Sequence, residues 1–300
     1  MVASPGRTRL NTVLLRTVTA VLLLRALPSA ADVIHVMTSG AFTAAFLELA
    51  PSFERATGHR IVVDATSSGT GDTSIAARLA RGEAIDLVIV DSEALERLVR
   101  NGQVRAGSRV DLARSAIGMA VRQGAPRPDI SSVDALRRTL LEARSIAFSS
   151  SVSGVFLSTE LFQRLGIADQ VLPKSRRVVG ERVGAVVARG DAEIGFQQIS
   201  ELLPERGIDF VGPLPADAQH VMIVAAGIGN AGRSPAGAQR LLDFLVSSDA
   251  VPAIERSALE PIARAKNDAR RKSREQWLTS FLSRRCRSPY AIIASTLSIP

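Results

Sequence analysis

Short apolar runs alternate with amphipathic helical patterns along most of the chain, from Val33 to Val246. The apolar runs have the length and the Val, Ile and Leu content of buried strands. These candidate strands are 33–37, 61–65, 85–90, 116–122, 145–149, 177–180, 193–196 and 220–226. Between them, apolar residues recur at the spacing of one buried helix face, as from Leu157 to Leu165. This alternation predicts an α/β protein in which helices flank mainly parallel sheets.

Two interruptions divide this pattern. The alternation loosens around Arg105–Arg114, and a Gly-Pro-Leu-Pro sequence breaks it again within 211–218. The segment between them has roughly 100 residues, a size typical of one domain. We predict two lobes joined by two crossings, lobe 1 formed by 32–112 with 218–262 and lobe 2 by 113–217.

Three clusters of Ser, Thr and Gly stand where a candidate strand gives way to a helical pattern. They are Thr38–Ala41, Thr66–Gly71 and Ser149–Gly154. A helix N-terminus carries unpaired N–H groups and a partial positive charge, so three that converge would bind an oxyanion without a charged side chain. Ordinary helix capping is the alternative, since these residue types are common there. Ligands of α/β proteins collect at such turns, and we therefore predict an anion-binding cleft.

The charge of the chain is concentrated at its ends. The 300 residues have a net charge of +8. Residues 1–31 contain four Arg and no acid, and residues 263–300 contain nine Lys or Arg against two acids, which leaves 32–262 at −3. A slightly acidic body lacks the basic surface that a polyanion requires. We therefore expect no nucleic acid among the partners.

Both ends differ from the body in composition. Basic residues, the apolar Val18–Leu24 and the small residues before Asp32 form the pattern of a secretory signal peptide. Cleavage near Ala31 would give a periplasmic protein; the alternative, an uncleaved anchor, is disfavoured because the apolar run is too short to span a bilayer. The basic tail 263–300 is predicted to be helical over 263–287 and disordered over 291–300. Its helical part is either solvated or adheres to a membrane surface.

The chain lacks a recognisable catalytic motif. Cys286 is the single cysteine, which rules out an internal disulfide and a cysteine metal cluster. His35, His59 and His220 are not at the spacing of metal ligands, and no Gly-x-Ser-x-Gly turn is present. We therefore expect no catalytic residue, no cofactor and no metal other than that of a bound oxyanion, and we predict that the protein is not an enzyme.

Several short motifs occur in a defined order along 33–262. They are Ser39-Gly40-Ala41-Phe42, Ser68-Gly69-Thr70-Gly71, Ser153-Gly154, Gly190-Asp191-Ala192-Glu193-Ile194-Gly195-Phe196-Gln197-Gln198 and Glu260-Pro261-Ile262. In this order and spacing they resemble the molybdate-binding periplasmic receptors of ABC transporters. The resemblance implies a type II periplasmic-binding-protein fold, in which two α/β lobes close on a ligand in the cleft between them.

The resemblance also implies a set of ligand-binding positions, because that family holds a tetrahedral oxyanion with two Ser hydroxyls, backbone N–H groups and a Tyr. The positions in this chain are Ser39, Gly40, Ala41, Ser68, Gly69, Thr70, Val152, Ser153, Gly154, Gly180 and Gln198. Ala41 stands at the first Ser, with Ser39 as its substitute, and Gln198 stands at the Tyr. An amide both donates and accepts, which favours a carboxylate or a partly protonated anion. Arg182 as a further ligand is an alternative hypothesis.

These observations together predict an exported, monomeric solute-binding protein that delivers a small anion to an ABC permease in the membrane. Molybdate or tungstate is the ligand that the resemblance implies. One alternative is a sensor module that binds a small organic anion and signals to a partner. Another is a secreted hydrolase that uses a Ser of the clusters.

Overall fold

A computed structural model describes residues 32–69 and 71–262. The predicted signal peptide 1–31, Thr70 and the predicted basic tail 263–300 lie outside the described residues. Within the described ranges, no helix is long and apolar enough to cross a membrane.

The chain alternates between strands and helices, as the sequence pattern predicts. The strands are β1 (Val33–Ser39), β2 (Arg60–Thr66), β3 (Leu87–Asp91), β4 (Val110–Ser115), β5 (Ile117–Arg122), β6 (Ile146–Ser149), β7 (Ser175–Val178), β8 (Ile194–Gln198), β9 (Ile208–Pro213), β10 (Met222–Ile228) and β11 (Glu260–Pro261). The α-helices are α1 (Gly40–Thr57), α2 (Ile75–Ala80), α3 (Ser92–Arg100), α4 (Val133–Glu142), α5 (Val152–Phe156), α6 (Phe162–Arg164), α7 (Ala168–Val171), α8 (Val183–Arg189), α9 (Ile199–Leu202), α10 (Pro235–Leu245) and α11 (Val251–Arg256). A π-helical turn, Leu157–Leu161, joins α5 to α6, and 3-10 turns lie at Leu172–Lys174 and Ala216–Ala218.

The strands form two sheets with the same plan. The first has the order β2-β1-β3-β10-β4-β11, and the second has the order β7-β6-β8-β5-β9. In the first sheet β1 lies parallel to β2 and β3, and β10 runs antiparallel to β3 and β4. In the second sheet β6 lies parallel to β7 and β8, and β5 runs antiparallel to β8 and β9. Each sheet therefore contains three neighbouring parallel strands. Further strands, joined by antiparallel pairing, extend the sheet on one side.

Helices cover both faces of each sheet. The apolar stripe of α1 packs with α10 and α11 on one face of the first sheet, and α2 and α3 cover the other face. On the second sheet, α4 to α7 pack on one face and α8 on the other. The residues predicted to form one helix face between Leu157 and Leu165 lie in this second core, where Leu157, Leu161 and Phe162 are fully buried. Two α/β lobes with helix-flanked sheets confirm the predicted fold class. The sheets are mixed and not mainly parallel, since five of the nine strand pairings in the described residues are antiparallel.

Two short crossings connect the lobes. Ala116 alone separates β4 from β5, and 214–221 connects β9 to β10. Gln219 ties the crossings together, because its Oε1 accepts from Ile117 N at 2.8 Å and its Nε2 donates to Ile117 O at 2.9 Å. The backbone at both ends of lobe 2 is thus joined at one point.

The two interruptions seen in the sequence pattern contain strands that the pattern missed. β4 occupies the end of the first interruption, and β9 runs into the second. Charged residues interrupt the apolar alternation in both strands, Asp111 and Arg114 in β4 and Asp209 in β9. Most residues of β9 are only partly buried, so their sequence lacks the continuous apolar run of a central strand.

Candidate functional site

The parallel strands of both sheets end at one cleft between the lobes. Ser39 ends β1 and Thr66 ends β2 in lobe 1, whereas Ser149 ends β6 and Gln198 ends β8 in lobe 2. All four residues line a cavity of about 240 Å³. Ligands of α/β proteins bind outside the carboxyl ends of parallel strands, which makes this cleft the candidate site.

The amino end of α1 opens into the cleft without a side-chain cap. Ser39 is the N-cap residue, but its side chain makes no capping hydrogen bond. Its buried Oγ has no hydrogen-bond partner in the described part of the chain. The first N–H groups of a helix have no partner within the helix. The N-terminus of a helix also carries a partial positive charge, and α1, with 18 residues, is long enough to develop it fully. Ser39, Gly40 and Ala41 therefore present donors and positive potential to an anion.

Gln198 supplies a second unpaired donor from the opposite lobe. Its Oε1 accepts a hydrogen bond from Ser115 Oγ at 2.9 Å, which sets the orientation of the amide. Its Nε2 is buried and, among the described residues, has no acceptor. A buried N–H without an acceptor is costly, and a ligand oxygen in the cleft would satisfy it.

Glu201 is the buried acid of the cleft. It lies in α9, and its carboxyl Oε2 accepts a hydrogen bond from Gln197 Nε2 at 2.7 Å. The Gln197 amide is oriented by Val183 N, which donates to its Oε1 at 2.9 Å. Burial raises the pKa of Glu201 to about 7, while the Arg182 charge and the Gln197 hydrogen bond oppose that rise. This carboxyl therefore exchanges a proton near neutral pH.

Two charged residues lie at the rim of the cleft, Glu181 and Arg182. Both side chains are partly exposed, in contrast to Glu201. Arg182 Nη1 lies 3.8 Å from Glu205 Oε2, a long and partly solvated ion pair that competes weakly with a ligand. Arg182 is the one cation among the described residues that line the cleft, so it supplies the charge for an anionic group near the rim.

The structure brings several of the residues predicted from sequence together. The predicted residues that line the cleft are Ser39, Gly40, Ala41, Ser68, Gly180 and Gln198. They come from both lobes, as the three clusters predict. Thr70 lies outside the described residues.

The other predicted residues lie behind or beside the cleft. Ser153 and Gly154 are buried beneath the end of β6, where Ser153 Oγ lies 2.9 Å from Ser149 Oγ. Gly69 and Val152 line a neighbouring cavity of about 490 Å³. In the third cluster it is 149–151, before the helix, that faces the ligand cavity.

Gln197 and Glu201 also line the cleft, although neither was predicted as a site residue. Gln197 lies one residue beyond the predicted strand 193–196 and appears in the sequence only within the motif that ends at Gln198. Glu201 belongs to a four-residue helix that the pattern did not show. The available signal was a glutamate four residues after Gln197, with the apolar Ile199 and Leu202 close to it in the sequence. An acid among apolar neighbours just beyond a buried strand indicates either burial or function.

The described part of the chain has no group of three His, Cys, Asp or Glu residues that could hold a metal ion. His220 instead stacks on Phe156, with 4.8 Å between the ring centroids.

A family model for bacterial extracellular solute-binding proteins matches residues 34–258. The chain belongs to this family. An aconitate isomerase from a Pseudomonas species is 47% identical over 229 residues, which cover 76% of this chain and 87% of that protein. The molybdate-binding protein ModA of Rhodobacter capsulatus is 26% identical over 77% of this chain and 89% of its own length. The periplasmic molybdate-binding protein of Azotobacter vinelandii has the same fold, with a TM-score of 0.61, 21% identity and coverage of 75% of this chain and 98% of that structure.

Membership in this family confirms the resemblance to periplasmic molybdate-binding-like receptors. It implies a small ligand, a membrane permease as the family's partner and an extracytoplasmic location. The predicted cleavage near Ala31 lies outside the described residues and stays a prediction.

The prediction that the protein is not an enzyme is wrong, because a relative 47% identical to it is an isomerase by name. Nucleophile and metal motifs, which the sequence lacks, are signatures of only some enzymes. Proton transfer needs only one carboxyl of suitable pKa, and burial sets that pKa in the folded protein.

Proposed function

We propose that the interlobe cleft binds aconitate and interconverts its cis and trans isomers. The observation that carries this proposal is the pair of buried donors without acceptors, Ser39 Oγ and Gln198 Nε2, beside the amino end of α1. An anionic ligand in the cleft would accept hydrogen bonds from these donors. The relative named aconitate isomerase supports the choice of that anion.

The distribution of donors suits an anion with several separated charges. Aconitate carries three carboxylates on a three-carbon chain. The α1 terminus with Ser39 can receive one carboxylate, Gln198 lies on the opposite lobe, and Arg182 lies at the rim. Molybdate has one compact tetrahedral centre, for which the family's Ser and Tyr hydroxyls are replaced here by Ala41 and Gln198.

The isomerisation needs only a proton transfer between two carbons. In aconitate a CH2 group adjoins the carbon–carbon double bond. When that CH2 loses a proton and the far alkene carbon gains one, the double bond moves along the chain and the same compound is regenerated. The new double bond joins atoms that a single bond joined before, so the conformation held in the cleft decides whether the cis or the trans isomer forms.

The test is to incubate the protein with trans-aconitate and follow the isomers by proton NMR. We expect conversion from either isomer to the same final ratio. Both isomers should also raise the melting temperature, since a ligand that binds only the folded state stabilises it. Aconitate that stays unconverted and leaves the melting temperature unchanged would refute the proposal.

A second candidate is a receptor that delivers a small oxyanion to an ABC permease. The two crossings tied by Gln219 favour it, because a pair of short connections permits the lobes to close on a ligand and release it. Molybdate, tungstate and sulfate in the same melting experiment distinguish the candidates. A shift with molybdate and none with aconitate would support the receptor.

A further inference from the structure

We propose that Glu201 is the group that carries the proton between the two carbons of aconitate. This inference rests on the proposed function and adds the residue that performs its chemistry. Glu201 is the buried ionisable side chain among the described residues that line the cleft, whereas Glu181 and Arg182 are partly exposed.

The position of Glu201 places its carboxyl beside the donors for a ligand carboxylate. A Cβ atom built on Gly40, the first residue of α1, would overlap Glu201 Oε2. A carboxylate held by the amino end of α1 and Ser39 would therefore have its neighbouring carbon next to Glu201. That carbon carries the acidic hydrogen when the bound group is the carboxymethyl end of aconitate.

Hydrogen bonding defines which oxygen carries the proton. Val183 N orients the Gln197 amide, whose Nε2 then donates to Glu201 Oε2. An oxygen that accepts a hydrogen bond from an amide serves as the carbonyl oxygen of the neutral acid, so the proton belongs on Oε1. Val183 and Gln197 therefore act as positioning residues for the Glu201 carboxyl.

The reaction balances with this one group. Ionised Glu201 takes a proton from the CH2 carbon, and the electron pair of the broken C–H bond joins the double bond as an allylic carbanion. Protonated Glu201 then returns a proton to the far carbon, where a new C–H bond forms, and is ionised again. The carbanion's charge spreads onto the ligand carboxylates, where the α1 terminus and Gln198 Nε2 stabilise it.

The charged groups around Glu201 lie at the cleft rim, at the start of α8 and in the segment after α9. Arg182 favours the ionised form of Glu201, and Glu205, whose Oε2 lies 3.8 Å from Arg182 Nη1, partly offsets the charge of Arg182. Glu181 instead accepts a hydrogen bond from Arg189 Nη1 at 2.9 Å. Burial raises the pKa of Glu201 to about 7. A general base works best when its pKa lies near the working pH, which matches this environment.

The experiment compares the wild type with Glu201→Gln and with a control, Glu142→Gln, which changes an exposed glutamate of lobe 2 outside the cleft. Each protein is incubated with trans-aconitate in D2O, and NMR follows both isomerisation and deuterium incorporation. We expect E201Q to bind trans-aconitate at least as tightly as the wild type, by melting shift, and to lose about a thousandfold or more in kcat and in deuterium incorporation. E142Q should match the wild type, whose kcat/KM should rise with pH through an apparent pKa near 7.

The outcomes separate this inference from the proposed function. If the wild type is active and E201Q retains kcat within tenfold and an unchanged pH profile, the inference is overturned and the proposed function stands. E201Q that no longer binds aconitate also overturns it, since Glu201 would then be a binding group. A wild type that neither isomerises nor labels aconitate refutes the proposed function and the inference with it.

Discussion

Gly40 and Glu201, from opposite lobes, are so close that a methyl group on Gly40 would overlap the carboxyl oxygen Oε2 of Glu201. Gly40 begins the long helix α1, and Glu201 lies in the four-residue helix α9. The backbone of Gly40 does not have a positive φ, so its conformation does not require glycine. The need for glycine comes from the carboxyl that approaches it.

Gly40→Ala should therefore impair turnover and leave the fold intact. The added methyl displaces the Glu201 carboxyl or holds the lobes apart, and a misplaced catalytic group costs on the order of a hundredfold in rate. Alanine favours a helix over glycine, so the melting temperature of the unliganded protein should not fall. Steady-state kinetics with aconitate and thermal unfolding of the same samples check both statements. A variant with full kcat would show that the contact plays no part in the reaction.

Glu201→Gln should change how stability depends on pH. The pKa of Glu201 is raised to about 7 in the folded protein from 4.5, so the folded state holds the proton more tightly than the unfolded state. The contribution of Glu201 to folding stability is therefore fully present below about pH 4.5, is lost as the pH rises through about 7 and does not change above that. The loss amounts to roughly 3 kcal/mol, and Gln, which never ionises, avoids it.

Urea unfolding at pH 5 and pH 8 tests this prediction. The difference in unfolding free energy between wild type and E201Q should move in favour of the variant at pH 8. The exposed Glu142→Gln variant corrects for the removal of a charge. An equal difference at both pH values would mean that burial does not raise the pKa of Glu201.

Ser39→Ala should weaken ligand binding without weakening the fold. The Ser39 hydroxyl is buried and has no partner among the described residues, so its removal relieves an unsatisfied group. A hydrogen bond to a charged ligand contributes about 1.5–3 kcal/mol, so the affinity for aconitate should fall by roughly tenfold or more. Calorimetric titration measures the affinity.

Ser200→Ala is the matched control for this experiment. Its hydroxyl is also buried without a described partner, but Ser200 is not among the described residues that line the cleft. The two variants should have similar melting temperatures, and S200A should bind aconitate as the wild type does. If both variants bind equally, Ser39 Oγ does not contact the ligand.

Gln219→Ala should destabilise the protein through its crossings. Gln219 pairs with both the N–H and the carbonyl of Ile117. Its removal leaves the buried N–H without this acceptor, whereas the carbonyl keeps the hydrogen bond that Leu214 N donates at 3.1 Å. We expect the free energy of unfolding to fall by roughly 1–3 kcal/mol. Gln170→Ala, at an exposed position of α7, should change it little. Equal unfolding curves for the two variants would show that the crossings do not depend on this side chain.

Much of the fold could be predicted because buried strands have a local signature. The apolar runs at 85–90 and 145–149 overlap β3 and β6, which are buried throughout and lie within the parallel part of a sheet. β4 and β9 escaped prediction because charged residues interrupt their apolar pattern. In the site, Ser39 could be proposed from its place between a strand and a helix, which are local features, whereas Gln198 was implied by the family resemblance alone.

The sequence by itself determined the alternation of strands and helices and the polar clusters at the strand ends, and these predict an α/β protein with an anion cleft. Only the tertiary structure decided that Glu201 lies against Gly40, that Gln197 orients its carboxyl and that its pKa rises to about 7. The physical reason is that desolvation depends on every group that surrounds a carboxyl in space, and those groups come from distant parts of the chain. A glutamate in a segment without a recognisable sequence pattern therefore acquires its raised pKa only when the two lobes come together in the folded protein.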